Sequence, residues 1–222
     1  MKVAVVGGTG RMGRAIARQL SRNNEVVIGS RDPARAREAA KAVGVAGGAD
    51  YLGASEAGEV VVFAIPYEAL GTAAGLATAL SGKTVVSAVN PLKMQGGLLR
   101  FGLEEGSAAE ELARLVPESR VATAFNHVSS LFFERGEPVA IDILVAADSK
   151  ETFEVVAGVV RSVPNLRPLY AGPLSQARVI ERMTPLVLNL AKLNRTGSLT
   201  TRFVSVRREG QRGPQTHATT QG

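Results

Sequence analysis

Cysteine is absent from the 222-residue chain, which removes disulfides, thiolate metal sites and a thiol nucleophile together. Aromatic residues make up only 5% of it, and no basic run is interleaved with them, which argues against a nucleic-acid surface despite a net charge of +6. Arg207, Arg208 and Arg212 against Glu209 place +2 of that charge in the last sixteen residues, leaving +4 over the body. Such a mild positive field suits small polyanions better than a polymer. No apolar run approaches membrane-spanning length, and the chain enters a strand directly after Lys2 without a leader pattern, so a cytoplasmic protein with no membrane partner is expected. Histidine occurs twice. His217 lies in a polar tail, and His127 has no partnered carboxylate in its pattern, so it reads as a structural hydrogen-bonding residue more readily than as a general acid. No catalytic triad and no metal site is expected.

What is present is a core, with 45% hydrophobic residues, and a chain start of unusual density. In VAVVGGTGRMGRA, a β-branched run empties into Gly7, Gly8 and Gly10, and a helical pattern begins after Arg11. Gly8 is expected to allow the sharp turn, Gly10 to let the backbone approach a pyrophosphate, and Gly13 to let the helix pack close on the strand. The helix N-terminus supplies free N–H groups and partial positive charge to the anion. Strand, glycine turn and helix in that order indicate dinucleotide binding.

The next strand, EVVIG (25–29), ends at the residues that select the cofactor. An NAD site usually carries Asp or Glu there, whereas this chain has Ser30 and Arg31, which fit a 2′-phosphate and predict NADP. Pro33 opens a helix in which Arg35 either adds a second cation or belongs, like Arg37, to a solvated face. Residues 44–53 read as a glycine-rich loop with a short strand near Tyr51. The apolar run 59–65 reads as a strand buried on both faces. Ligands in open parallel sheets lie outside the carboxyl ends of the strands, which puts Ile65, Pro66 and Tyr67 beside the cofactor, Tyr67 being as readily a structural strand-end residue. A helix over 68–80, a strand over 83–89 and a tip at Asn90, Pro91 and Leu92 follow. A helix near 107–115 and a strand near 120–124 deliver Asn126, His127, Val128, Ser129 and Ser130 to the same edge. A strand over 139–146, a helix over 150–162, a strand over 166–171 and a long helix over 174–193 complete the alternation. LVLNLAKL in that last helix is apolar nearly all round, implying burial on several sides or contact with a second subunit, and Pro185 should kink it.

The fold expected is therefore α/β and Rossmann-like: a mostly parallel sheet with helices on both faces and a small C-terminal helical extension. Residues 1–145 form the NADP-binding domain, 146–205 an α/β extension whose long helix completes the acceptor pocket, and 206–222 a polar tail.

GGTGRMG, GSRDPAR, AIPYE and AGPLSQARVIERMTPLVLNLAKLN together resemble the NADPH-dependent reductases of the 8-hydroxy-5-deazaflavin coenzyme F420, over about residues 1–205. The resemblance implies hydride transfer between NADP(H) and coenzyme F420 by a homodimer. It implies that Thr9, Gly10, Arg11 and Met12 hold the pyrophosphate, that Ser30, Arg31 and Arg35 hold the 2′-phosphate, and that Tyr67, Gly71, Leu92 and Ser130 line the nicotinamide side. The chain departs at Asn126, His127 and Ser129, where the family pattern has His, Thr and Pro. His127, Val128, Ser129 and Leu174 are the candidates for the second ring. Ring-to-ring transfer needs stacking and exclusion of water, with no acid, metal or triad. Two other readings stay open: an NADPH-dependent reductase of another acceptor, such as a flavin, a metal chelate or an imine, and a non-enzymatic NADP sensor.

Replacing Arg31 with Ala is expected to weaken NADPH binding by about 1.5 to 3 kcal/mol, the scale of a hydrogen bond to a charged group, and to leave NADH binding nearly unchanged. Fluorescence titration with both nucleotides checks it, and equal loss for the two would place the 2′-phosphate elsewhere.

Overall fold

A computed structural model describes residues 1–135 and 139–205, with no side-chain description at Arg135. The 206–222 tail expected from composition lies outside the described residues.

The first half alternates strand and helix. Strand β1 (Lys2–Val6) leads into α1 (Arg11–Leu20), β2 (Glu25–Gly29) into α2 (Pro33–Val43), and β3 (Gly47–Ala49) into α3 (Tyr51–Ala57) before β4 (Val60–Phe63). A 3₁₀ segment (Tyr67–Leu76) and the single turn α4 (Ala77–Leu80) precede β5 (Thr84–Ser87). The hairpin β6 (Leu92–Gln95) and β7 (Leu98–Phe101) then stands apart, followed by α5 (Ala108–Leu115) and β8 (Arg120–Thr123). Helix α6 (Ser130–Arg135), β9 (Ile141–Ala147), α7 (Lys150–Arg161), β10 (Leu166–Gly172), a 3₁₀ turn (Leu174–Gln176) and α8 (Ala177–Leu193) complete the order.

Eight strands form one sheet in the order β10-β9-β8-β5-β4-β1-β2-β3. Strands β1 to β5, with β8, pair in parallel where they meet, whereas β8 pairs with β9 antiparallel and β10 pairs in parallel with β9. The central strands explain the arrangement. Val3–Val6 and Val60–Phe63 are buried along their whole length, so both faces must be covered, as in crossover-built sheets. One apolar cluster under α1, α2 and α7 covers one face, and a second, containing Leu70, Leu76, Leu112 and Ala177, covers the other. The expected domain boundary at residue 145 falls inside β9, within this continuous sheet.

Several expectations are corrected. The short strand expected near Tyr51 is β3, ending at Ala49, but the loop expected through residue 53 gives way to α3, which Asp50 caps by accepting a hydrogen bond from the Gly53 N–H at 2.7 Å. Most of the helix expected over 68–80 is a 3₁₀ segment, in a stretch where Gly71 and Gly75 weaken α-helix propensity. The 92–101 hairpin was not anticipated. Its turn uses Gly96 and Gly97, both at positive φ, the primed geometry that suits a two-residue hairpin. Helix α6 was also missed; its six residues are too short for a periodicity signal. Helix α8 runs through Pro185 without a break in assignment, and its second half is buried on one side only: Val187 is inside while Leu186, Leu190 and Leu193 are exposed.

Candidate active site

The glycine turn joins three elements at the carboxyl edge of the sheet. Gly7 takes a positive φ of 88°, and a Cβ there would lie 2.5 Å from the Ala64 carbonyl oxygen. The sharp bend expected at Gly8 therefore falls at Gly7. Gly8 is required instead by Ile28, whose Cγ2 would be 2.7 Å from an added Cβ. A Cβ on Gly13 would meet the Gly7 oxygen at 2.3 Å, so α1 can seat on β1 only with glycine there. Gly10 caps α1 in an extended conformation with no side-chain partner, leaving the N–H groups of the first turn to a ligand. Thr9 is half-buried beside this turn and Met12 packs on the core. The Arg11 side chain is engaged elsewhere: its Nε donates to Glu134 Oε1 of α6 at 3.0 Å, and this pair holds the Glu134 carboxyl below its usual range.

At the end of β2, Ser30 is buried, its N–H donating to the Ala49 carbonyl at 3.1 Å. Asp32 follows at once, but its Oδ1 accepts from the N–H groups of Ala34 at 2.9 Å and Arg35 at 3.3 Å. The carboxylate is thus used as the N-cap of α2. Arg31 and Arg35 are exposed, and among the described residues neither lies within ion-pair distance of a carboxylate. The β2 tip presents cations outward and turns its one acid away.

The other strand tips converge on the same edge. Ile65 is buried and Pro66 exposed. The Tyr67 hydroxyl donates to Glu111 Oε2 at 2.6 Å, which pushes the phenol up to about 12. Gly71 stands in open space and Leu92 opens the hairpin. Asn90 and Asn126 cross-link β5 and β8. Asn90 Nδ2 donates to the Asn126 carbonyl at 2.9 Å, Asn126 Nδ2 donates to the Val89 carbonyl at 3.1 Å, and the Thr123 hydroxyl donates to Asn126 Oδ1 at 2.7 Å. Thr184 of α8 brings its hydroxyl to Asn90 Oδ1 at 3.0 Å and the Asn126 carbonyl at 2.9 Å. The chain reaches Asn126 through Phe125 at φ 66°, a backbone region that an aromatic residue enters only under surrounding constraint.

His127 is 2% exposed, with Nε2 2.9 Å from the Asp142 carbonyl oxygen. Because a carbonyl can only accept, Nε2 carries the proton. Burial pushes the imidazole pKa down, so the ring is neutral with a bare Nδ1 that has no partner. Val128 is buried in the core, the Ser129 hydroxyl lies 2.9 Å from that of Ser198, and Ser130 begins α6. Leu174 is not brought to this edge. Its N–H donates to Asp148 Oδ1 at 2.8 Å beyond the end of β9, and it lines a cavity with Val121 at the start of β8. Since β9 runs against β8, that is the opposite edge of the sheet.

Sequence reasoning also missed Thr184 and Glu181, both on α8. Glu181 is fully buried and accepts from the N–H groups of Ala108 at 2.8 Å and Ala109 at 3.0 Å, closing the start of α5. Burial pushes its carboxyl up to about 7 against the helping pull of those two N–H groups. Glu181, the single acidic residue of α8, was the available signal. Among the described residues, no group of three or more His, Asp or Glu is placed to hold a metal, and no helix is long and apolar enough to cross a membrane.

A parallel sheet with a glycine-lined helix start and a cationic second-strand tip defines a dinucleotide-binding oxidoreductase of the Rossmann class. A family model described as "NADP oxidoreductase coenzyme F420-dependent" matches residues 2–91. The F420-dependent NADP reductase of Methanothermobacter thermautotrophicus is 39% identical over 211 residues, covering 88% of this chain and 91% of that protein. The enzyme of the same name from Methanocaldococcus jannaschii is 36% identical, covering 86% and 92%. A solved structure from Arthrobacter sp. FB24 superposes with a TM-score of 0.81 at 23% identity, over 92% of this chain and 100% of that one, and shares the fold. The chain belongs to the F420-dependent NADP reductase family and is an NADP-dependent oxidoreductase.

The raised carboxyl of Glu181 has a stability consequence. A group protonated more readily in the folded state than its ordinary 4.5 contributes stability that is full below that value and is lost as pH rises through about 7. Glu181→Gln is expected to flatten the fall in stability across that window, as read by thermal unfolding of both proteins as a function of pH. An equal slope in the variant would assign the dependence to other groups.

Proposed function

We propose that this chain moves a hydride between NADP(H) and the deazaflavin F420 by direct stacking of the two rings. The observation that carries the reading is the shared edge: the glycine turn, the β2 tip with buried Ser30 and exposed Arg31, and the cross-linked tips of β5 and β8 all lie at the carboxyl ends of parallel strands. Gly8, Thr9, Gly10 and Met12 with the start of α1 take the pyrophosphate, and Arg11 joins them by exchanging Glu134 for phosphate. Ser30, Arg31 and Arg35 take the 2′-phosphate. Ile65, Pro66, Tyr67, Gly71, Asn90, Leu92 and Ser130 border the nicotinamide, and His127, Val128 and Ser129 border the second ring. Leu174, at the far edge, has no part in it. Residues 1–145 supply the nucleotide side, and 146–205 complete the acceptor side through α8.

When both are bound, the nicotinamide and the deazaflavin supply the redox chemistry between themselves. The protein's work is to hold the rings in register and keep water out, which suits an edge where Asn90, Thr123, Asn126 and Thr184 are already engaged with one another. Neutral His127, with its Nε2 proton committed to Asp142, contributes no acid.

Mixing the protein with NADPH and oxidised F420 is expected to bleach the deazaflavin absorbance, with direct transfer of label from 4-deuterated NADPH. Turnover with a flavin, a metal chelate or an imine but none with F420 would move the reading to another acceptor. Binding of NADPH without transfer to any of them would leave a sensor.

The homodimer reading rests on α8. Val179, Met183, Leu186, Leu190 and Leu193 recur at alternating spacings of four and three, the seam of a paired helix. Four of the five are exposed, Leu193 by 64% and Leu186 by 58%. A contiguous apolar stripe of this kind marks an interaction face, and a second copy of α8 is its natural complement. Sedimentation is expected to give a dimer for the natural chain and a monomer for Leu186→Asp. A natural chain that sediments as a monomer would overturn the pairing.

A further inference from the structure

After α8 the chain turns back and crosses the sheet where β9 and β10 begin. Because β9 runs against β8, this is the same edge as the tips of β5 and β8. One residue holds the crossing segment, 198–203, in place. The Asp142 side chain is 2% exposed, and its carboxylate accepts from Arg167 Nε at 2.7 Å, Arg167 Nη2 at 2.8 Å and the Phe203 N–H at 2.6 Å. Its own N–H donates to the Thr201 carbonyl at 3.2 Å. Its carbonyl accepts the His127 Nε2 proton. Arg167 Nη2 also donates to the Phe203 carbonyl at 2.7 Å, so the fork of one guanidinium binds both the acid and the strap. A hydrogen bond between Ser198 and Ser129 fixes the other end.

A second feature lies on the same strap. Among the described residues four buried side-chain polar atoms lack a partner, and three of them are Thr200 Oγ1, Thr201 Oγ1 and His127 Nδ1. Orphans at this density call for an explanation, since buried polar groups are nearly always paired. Two of these orphans, the Thr200 and Thr201 hydroxyls, lie on the strap itself and can each donate or accept.

We propose that Asp142 is the positioning residue of the acceptor side: it clamps residues 198–203 beside His127–Ser129, so that the strap forms one wall of the second-ring site. This rests on the reading of that edge as the F420 side. Asp142 touches neither ring. It acts through the strap and through His127, whose tautomer its carbonyl sets. A bidentate Arg–carboxylate pair is the geometry that resists sliding, which a Lys at 167 would not reproduce.

The test uses the full-length enzyme with NADPH and F420. Asp142→Asn is expected to raise the KM for F420 by about tenfold, the ratio that corresponds to losing one hydrogen bond to a charged group, with the KM for NADPH held within about twofold. The Phe203 amide should exchange faster with solvent deuterium. Arg167→Met should reproduce both effects and carries the test if Asp142→Asn does not fold, while Arg167→Lys should recover part of the loss. Equal rises in both KM values, an unchanged KM for F420, or unchanged exchange at Phe203 would each overturn the clamp. Absence of F420 turnover in the natural enzyme overturns the underlying site reading instead, and this first control separates the two failures.

Discussion

The close approach of backbone to backbone at the end of β1 is the constraint on which the site depends. Gly7 and Gly13 meet with no room for a Cβ between them, and Gly8 lies against Ile28 of the neighbouring strand. Any side chain at Gly13 would lift α1 from the sheet, and with it the free N–H groups of the first turn. The open N-terminal end of the helix is therefore held by contact, with no capping side chain to compete for its donors. The cationic β2 tip is placed by the same packing, because the Gly7 N–H donates to the Gly29 carbonyl immediately before Ser30.

The proposed acceptor side is built on a different principle. Here side chains, more than backbone contacts, set the geometry: Asn90, Thr123, Asn126 and Thr184 form one closed hydrogen-bonded set linking two strand tips to α8. In a low-dielectric setting, such a set is rigid when every member is satisfied. Glu181 one turn earlier ties α8 to the start of α5. Helix α8 thus reaches both the hairpin and the strand tips from a start at the far edge of the sheet, which is why Leu174 and Thr184 belong to opposite ends of the molecule.

Much of this was legible in the residues. The order of strands and helices follows from unbroken valine runs and from Pro33, Ser107 and Ser149 at helix starts. The glycine turn and the β2 tip were identified from Gly7–Gly13 and Ser30–Arg31. Errors fell where period and length fail as signals: the short α6, the 3₁₀ segment, and the loop before α3, where Asp50 caps a helix that composition had concealed. The all-round apolar pattern in the second half of α8 left burial on several sides and contact with a second subunit both open, since periodicity alone cannot separate a buried face from one left open for a partner.

By itself, then, the sequence determined the parallel core, the glycine turn and the charge at the second-strand tip, because each depends on residues within one crossover of one another. The tertiary structure decided the rest. It reversed β9 and β10, brought Thr184 and Asp142 to the strand tips, joined Arg11 to Glu134, and sent Leu174 to the opposite edge. Those outcomes turn on pairings across the chain, up to 123 positions apart for Arg11 with Glu134, and strand direction at a sheet edge is set by packing and chain connection that no local pattern encodes.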